Sequence, residues 1–359
     1  MTNTVLGSVL VTGGAGFIGS ALSHKLAASA ERWVVLDSLH PQVHGDVKRP
    51  LNLHDAAELV VADVSDTSAW DALLAGFVPE IVVHLAAETG TAQSLDEASR
   101  HSIANVVGTT EMTDAFGRAG ILPRHVLLSS SRAVYGEGLW RAADGRKFSP
   151  GQRSHAQFET AQWDFAGATP LPSSVGSTAP APTSVYGATK LAQEHILSAW
   201  ASARGVPLTM LRLQNVYGPG QSLINSYTGI VSLFSQLARE KKSIPLYEDG
   251  KITRDFVYID DVAEAFVAAI AAPPAELQSF DVGSGVGSTI EHLAKAIAAY
   301  HSAPEPHLTG AYRDGDVRHA SCSIIAILDA LDWAPQWSLE AGTAALQEWI
   351  ETELAQKEA

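Results

Sequence analysis

Cysteine and basic residues are scarce in this chain of 359 residues. The single cysteine, Cys322, excludes an internal disulfide, and a cytoplasmic location is the default expectation. Lysine and arginine number 24 against 39 aspartates and glutamates, which gives a net charge of −15. Because nucleic acids and anionic membranes are also negatively charged, this net charge argues against either of them as the main partner. A phosphorylated ligand is still possible, because a few local arginines can bind one.

Long apolar runs are also missing. The run nearest the N-terminus, Val9-Leu10-Val11, has no basic region ahead of it and is far too short for a signal peptide or membrane span. We therefore expect no membrane partner. A chain of this length can bury a large core, and we predict two lobes.

Glycines are concentrated directly after the first short apolar strand and ahead of an amphipathic helix. This order of strand, glycine turn and helix is that of a dinucleotide-binding motif. Gly13 permits the tight turn, Gly16 lets the backbone approach a pyrophosphate, and Gly19 lets the helix pack on the strand. The amides of Phe17 and Ile18 at the helix N-terminus would attract the diphosphate.

The second apolar strand ends in Asp37. A carboxylate at this position can accept hydrogen bonds from the adenosine ribose, and its charge repels a 2′-phosphate. Ser38 follows where an NADP enzyme would be expected to have an arginine. The sequence therefore favours NAD over NADP.

Three further apolar segments, at 60–64, 81–87 and 124–131, alternate with helical segments. This alternation predicts an α/β fold with a doubly wound parallel sheet, in which ligands bind at the carboxyl ends of the strands. Asp63 and Val64 would meet the adenine there. The small residues Ala86 and Ala87 would let a flat cofactor lie close.

A second chemical motif is Tyr186-Gly187-Ala188-Thr189-Lys190, in a segment predicted to be helical. Residues at i and i+4 share one helix face, so the phenol and the ammonium are side by side. The sequence therefore predicts that Lys190 lowers the pKa of Tyr186 toward neutrality, which would make the tyrosine a general base for an alcohol. Taken alone, this spacing more often marks a solvated helix face.

Together, the motifs resemble those of the extended short-chain dehydrogenases/reductases, in the NAD-dependent epimerase/dehydratase family. The resemblance extends from residue 10 to about 320. It is carried by the glycine motif and by Asp63-Val64, His84-Leu85-Ala86-Ala87, Asn105, Ser129-Ser130-Ser131, Tyr186-x-x-x-Lys190, Leu211-Arg212, Asn215-Val216-Tyr217-Gly218-Pro219-Gly220 and Arg254-Asp255-Phe256-Val257-Tyr258.

The resemblance implies the roles of individual residues. The catalytic group would be Ser131, Tyr186 and Lys190, with Ser131 hydrogen-bonded to the 4-hydroxyl of a sugar. The implied cofactor contacts add Ser38, Leu85, Asn105 and Ser129 to the residues above and include Tyr186 and Lys190. The implied substrate contacts are Glu88, Thr89, Ser131, Arg132, Asn215, Asn225 (at the N-terminus of a diphosphate-binding helix), Tyr247 (stacked on the pyrimidine), Arg254, Arg313 and Asp316. No metal is expected.

The residues after Ser131 distinguish between members of the family. Sugar 4,6-dehydratases carry an Asp-Glu pair there, whereas this chain has Arg132-Ala133, which can supply neither acid nor base near neutral pH. We therefore predict an NAD-dependent 4-epimerase of a dTDP- or UDP-hexose, acting by transient oxidation at C4 and re-reduction. The loops resemble those of the dTDP-L-rhamnose 4-epimerase branch. A UDP-glucose/galactose-type 4-epimerase, a 4-ketoreductase, a decarboxylase and a non-catalytic NAD-binding protein remain alternatives.

The predicted NAD-binding Rossmann domain comprises residues 1–212 and about 257–275. Residues 213–256 and 276–359 form the predicted nucleotide-sugar-binding lobe. An insertion at about 138–177 is expected to be a loop over the cleft or a subunit contact. Glu88 is expected to touch the sugar or to pair with Arg132. By analogy with relatives, we expect a homodimer formed through a helix at about 106–119 and the helix of Tyr186.

Overall fold

A parallel sheet covered by helices on both faces forms the centre of the molecule. The structure is a computed structural model that describes residues 5–45, 48–222 and 229–358. Seven parallel strands form the sheet, in the spatial order Leu277–Val282, Leu208–Leu213, His125–Ser131, Ile81–His84, Ser8–Thr12, Arg32–Asp37 and Ala57–Val61. The chain order reverses beside Ser8–Thr12, and the predicted doubly wound Rossmann fold is confirmed.

Helices cover both faces of the sheet because its inner strands are apolar on both sides. One face packs against Phe17–Leu26 and Ile259–Ala271, and the other against Thr67–Gly76, Gly108–Ala119 and Val185–Arg204. The remaining helices are Pro41–His44, Gln93–Asp96, Ala98–Ser102, His155–Glu159, Ile230–Arg239, Ile290–Tyr300, Ile325–Leu331 and Leu339–Glu358, with 3₁₀ turns at Ala27–Ser29 and Arg132–Tyr135 and a π-helical turn at Ile103–Val107. No helix in the described part of the chain is both long and apolar enough to cross a membrane.

Two predicted strands end earlier than expected. The strand predicted at 60–64 is Ala57–Val61, because its pairing with Arg32–Asp37 ends where Asp37 meets Val61. The strand predicted at 81–87 ends at His84. In both cases the residues beyond the strand form the loops that border the cleft.

The smaller lobe is built around short strands. Its main sheet combines Asn215–Tyr217, Thr253–Tyr258, Gly287–Thr289 and His319–Ala320, and a second pair joins Pro245–Leu246 to His307–Leu308. The predicted division assigned residues 276–359 to this lobe. Strand Leu277–Val282 instead pairs with Leu208–Leu213 at the edge of the central sheet. It therefore belongs with the Rossmann domain, and the rest of the division stays a prediction.

The insertion at 138–177 has secondary structure of its own. Leu139–Ala142 pairs antiparallel with both Lys147–Phe148 and Ala168–Leu171, and the helix His155–Glu159 lies between the outer two strands in sequence. Trp140 is fully buried and packs edge-on against Phe165. The prediction that this segment is a loop is therefore wrong, and the predicted subunit contact stays a prediction.

Candidate active site

A large cleft runs along the carboxyl ends of the central strands. Its volume is about 1160 Å³. This exceeds the roughly 300–1,000 Å³ of a typical small-molecule site, so the cleft has room for more than one ligand. Its walls include the glycine turn, the loops after Arg32–Asp37 and Ile81–His84, and the start of the helix Val185–Arg204.

The glycine turn fits a dinucleotide because side chains are excluded there. Gly13 has a φ of +66°, and an added Cβ would lie 2.6 Å from the amide nitrogen of Ala86. At Gly19 an added Cβ would lie 2.4 Å from the Cα of Gly14. Gly16 borders the cleft and directly precedes the helix that begins at Phe17, so free amides at this helix N-terminus face the space where a pyrophosphate would bind.

Asp37 is held by the backbone around it. One carboxylate oxygen accepts the amide of Ala15 at 3.0 Å, inside the glycine turn, and the other accepts the amide of Leu39 at 2.9 Å. The side chain is buried and borders the cleft. The carboxylate is thus fixed at the predicted ribose position, next to the turn that would hold the pyrophosphate.

Most of the predicted cofactor residues come together in the cleft. Its lining includes Gly13, Gly16, Phe17, Ile18, Gly19, Asp37, Ser38, Asp63, Val64, Leu85, Ala86, Ala87 and Tyr186. Asn105, Ser129 and Lys190 lie behind this wall and are buried. Their contact with the cofactor stays a prediction, and what the structure shows is a supporting arrangement behind the wall.

Asn105 illustrates this supporting arrangement. Its side-chain oxygen accepts the amide of Glu88 at 2.7 Å, and its NH₂ group donates to the Glu88 carbonyl and to Thr189. The Glu88 carboxylate, which borders the cleft, accepts from Arg100 at 2.8 Å. The predicted pairing of Glu88 with Arg132 is therefore wrong. No spacing or motif in the sequence pointed to Arg100.

The catalytic helix is positioned by its first residues. Ser184 caps it by accepting the amide of Gly187 at 3.0 Å, and the amide of Tyr186 donates to Ser94 at 3.0 Å. Tyr186 and Ser131 both border the cleft, and the Ser131 hydroxyl lies close enough to lower the pKa of the phenol. Ser131 also accepts the amide of Ala133 at 3.2 Å. The predicted serine–tyrosine pair is thus assembled at the edge of the cleft.

The electrostatics of Tyr186 differ from the prediction. Burial raises the pKa of the phenol above its ordinary value, while the nearby Ser131 hydroxyl and the charge of Arg132 lower it. The predicted lowering by Lys190 is not found. Lys190 is itself buried, and burial lowers the pKa of its ammonium to about 7 against the opposing charge of Glu194. A lysine that is only partly charged at neutral pH exerts a weaker field on the phenol.

Three of the predicted substrate residues border a small polar pocket beside the cleft. Arg132, Arg254 and Asp316 line it together, and Arg132 also borders the main cleft. Arg132 donates to the Asn215 side chain at 2.9 Å. Burial lowers the pKa of Arg132 to about 9, with a further lowering from the charge of Arg254, whereas Asp316 raises it.

The remaining predicted substrate residues are more scattered. Thr89 borders the main cleft. The guanidinium of Arg313 lies over the ring of Tyr247, 5.0 Å from its centroid, so one face of the predicted stacking ring is already covered. Asn225 lies outside the described residues.

Comparison with known proteins places this arrangement in a family. The sequence model of the NAD dependent epimerase/dehydratase family matches residues 9–283. The chain is 64% identical over 349 residues to a dTDP-L-rhamnose 4-epimerase of Burkholderia thailandensis, which covers 97% of this chain and 96% of that one. The chain belongs to the NAD-dependent epimerase/dehydratase family, and the predictions of an enzyme and of NAD as its cofactor are confirmed.

Solved structures agree with this assignment. A UDP-glucose 4-epimerase of Thermotoga maritima, determined with UDP-glucose, superposes with a TM-score of 0.79 at 28% identity over 97% of this chain and 99% of that one. A UDP-glucose 4-epimerase of Thermus thermophilus, in complex with NAD, gives a TM-score of 0.75 at 25% identity over 96% and 99%. The fold therefore matches over nearly the whole chain.

Proposed function

We propose that this enzyme is an NAD-dependent nucleotide-sugar 4-epimerase that interconverts dTDP-L-rhamnose and its C4 epimer, dTDP-6-deoxy-L-talose. The predicted 4-epimerase class agrees with the 64% identity to a dTDP-L-rhamnose 4-epimerase. The observation that carries the proposal is that Ser131 and Tyr186 meet on the wall of the cleft, with Arg132 and Ala133 beside them on the same wall. This group can move the proton of a hydroxyl but has no acid–base pair for eliminating water from the sugar.

The chain's residues carry out the proton steps. Ser131 holds the 4-hydroxyl of the sugar, and Tyr186 accepts its proton as the C–H bond at C4 breaks. NAD, when bound in the cleft, would supply the reversible hydride-transfer chemistry at C4. Tyr186 gives the proton back to the C4 oxygen after the ketone has presented its other face, so the two half-reactions cancel and no net oxidant is consumed. Arg132, beside Tyr186, would stabilise the phenolate during this cycle.

Residues of the small pocket are proposed to hold the nucleotide half of the substrate. Arg254 and Arg132 border the same space, and arginines bind phosphate oxygens through charge-assisted forked hydrogen bonds. Asp316 would accept from the nucleotide ribose, and Arg313 with Tyr247 would flank the base. Glu88, Thr89 and Asn215 border the main cleft and would face the sugar.

The proposal is tested by incubating the purified protein with separate nucleotide sugars and no added cofactor. Conversion of dTDP-L-rhamnose to its C4 epimer, followed by NMR, is the expected result. Conversion of UDP-glucose to UDP-galactose alone would favour the alternative substrate. Turnover that requires added NAD(P)H would indicate a 4-ketoreductase, release of CO₂ from a uronate a decarboxylase, and no turnover a non-catalytic protein.

We also propose a homodimer that forms through the predicted pair of helices. Ile103 and Val107 are each about half exposed, on the π-helical turn that precedes Gly108–Ala119 and packs beside Val185–Arg204. An apolar surface of this kind would be covered by the same surface of a second copy. Sedimentation of the protein and of Val107→Glu tests this, with a monomeric variant expected. The cytoplasmic location stays a prediction.

A further inference from the structure

We propose that Arg153, in the inserted segment at 138–177, is a positioning residue for the nucleotide half of the substrate. The role rests on the proposed function, because it concerns the loop that carries Arg313 and Asp316. The insertion is then a fixed support for the nucleotide site and not a lid over the cleft. Arg153 reaches the backbone of that loop directly.

Arg153 holds the loop from both sides of Val317. Its side chain is fully buried, and its Nη2 donates to the carbonyl of Asp316 at 2.8 Å. Its Nε donates to one oxygen of Glu137 at 3.3 Å, and the other oxygen of Glu137 accepts the backbone amide of Arg318 at 2.9 Å. Arg153 thus holds the backbone directly at Asp316 and, through Glu137, at Arg318, immediately beside the Asp316 side chain.

A second arginine ties the same loop to the rest of the nucleotide site. Arg318 is buried and donates to Asp164 of the insertion at 2.9 Å and to Asp249 at 2.7 Å. Asp249 lies two residues after Tyr247. The carbonyl of Arg318 accepts the amide of Thr253, next to Arg254, at 3.0 Å. The insertion is therefore connected to each of the three places where nucleotide-binding residues are proposed.

The short helix His155–Glu159 contacts the same loop at residues that precede Asp316. Phe158 stacks on Tyr312 with ring centroids 5.1 Å apart and planes 13° apart, and the Arg153 guanidinium lies 4.4 Å from the Phe158 ring centroid. His155 is 3.0 Å from a carboxylate oxygen of Asp314. The insertion thus holds residues 312 and 314, while Arg313 between them lies over Tyr247.

These contacts make movement of the insertion costly. Breaking a buried ion pair by removing one partner is strongly destabilising, and opening the segment would break several such pairs together. The hydrogen bonds and ion pairs of Arg153 are with Glu137, Glu248, Trp163 and Asp316, and none of these four residues is Ser131 or Tyr186. Disturbing it should therefore weaken binding of the nucleotide while the proton steps proceed at their usual rate.

The test compares binding with turnover in Arg153→Lys. Lysine keeps the positive charge beside Glu137 and Glu248 but lacks the planar fork, so it cannot reach the Asp316 carbonyl and Glu137 together. We expect the dissociation constant for dTDP, measured by calorimetry, and the KM for the nucleotide sugar to rise about tenfold, with kcat changed less than about twofold. Arg146→Lys, at an exposed arginine of the same insertion, is the matched control and should match the wild type.

Phe158→Leu keeps the test decisive if Arg153→Lys fails to fold. It preserves an apolar side chain but removes the stacking on Tyr312, and it should raise the dTDP dissociation constant about threefold, again with kcat preserved. Unchanged dTDP affinity in the folded variants, or a fall in kcat without a change in affinity, would overturn the positioning role. A wild-type protein that binds neither dTDP nor UDP would overturn the proposed function itself, a result distinct from both.

Discussion

Replacing Lys190 with methionine should stabilise the protein at neutral and acidic pH. Lys190 is 2% exposed, and burial lowers the pKa of its ammonium from 10.5 to about 7. Between these two values the unfolded chain binds the proton and the folded chain does not, so stability rises with pH across that window. Below about pH 7 both states are charged, and the folded state bears the full cost of a buried ammonium. Each tenfold change in proton affinity is worth about 1.4 kcal/mol, so this cost is at most about 5 kcal/mol.

The assay is urea unfolding of the NAD-free protein at a series of pH values. Methionine has nearly the volume of lysine without the charge, so packing is largely kept. The variant should exceed the wild type by a few kcal/mol near pH 6, and this difference should shrink steadily toward about pH 10. Lys251→Met, at an exposed lysine, should show no such trend. A stability difference that is the same at every pH would refute the reasoning.

Three other substitutions test the cofactor cleft. Tyr186→Phe should reduce epimerisation at least about 10²-fold while the purified protein keeps its NAD, and retained turnover would contradict the base assignment. Asp37→Ala should weaken NAD binding about tenfold and reduce the preference for NAD over NADP, measured by fluorescence titration with each cofactor. An unchanged ratio of the two affinities would exclude a ribose contact for Asp37. Gly13→Ala should destabilise the fold by at least about 2 kcal/mol in thermal unfolding, because its Cβ would lie 2.6 Å from the Ala86 amide nitrogen. The matched control is Gly145→Ala, where φ is also positive but nothing lies within 4 Å; equal losses in both would show that the close contact is unimportant.

The elements around the cofactor could be predicted because their rules are local. A glycine turn between a strand and a helix has few uses, and Gly13 shows both the positive φ and the close backbone approach that the motif implies. The spacing of Tyr186 and Lys190 is also a local rule, because residues at i and i+4 lie on the same face once the helix forms. Register was less predictable: the strand ahead of Asp63 ends at Val61 because its partner strand ends at Asp37.

Contacts between distant segments could not be read from the chain. Glu88 pairs with Arg100 and not with Arg132, and both arginines were equally available in the sequence. The insertion has a composition typical of a loop, yet Arg153 and Trp140 are fully buried within it. Such side chains become informative only when their partners, more than a hundred residues away in some cases, are located in the fold.

Arg132 links the choice of reaction to the state of the catalytic base. Its position follows Ser131, where the resemblance places the first acid of the 4,6-dehydratases, so an arginine there removes an acid needed for elimination. The same side chain supplies positive charge that opposes the burial of Tyr186, a task that Lys190 fulfils poorly because burial lowers the pKa of its own ammonium to about 7. An aspartate at this position would add negative charge beside the phenol and raise its pKa further. Having arginine at position 132 in place of an acid would thus have two effects. It would remove a group needed for elimination, and it would favour the Tyr186 phenolate that reversible oxidation at C4 requires.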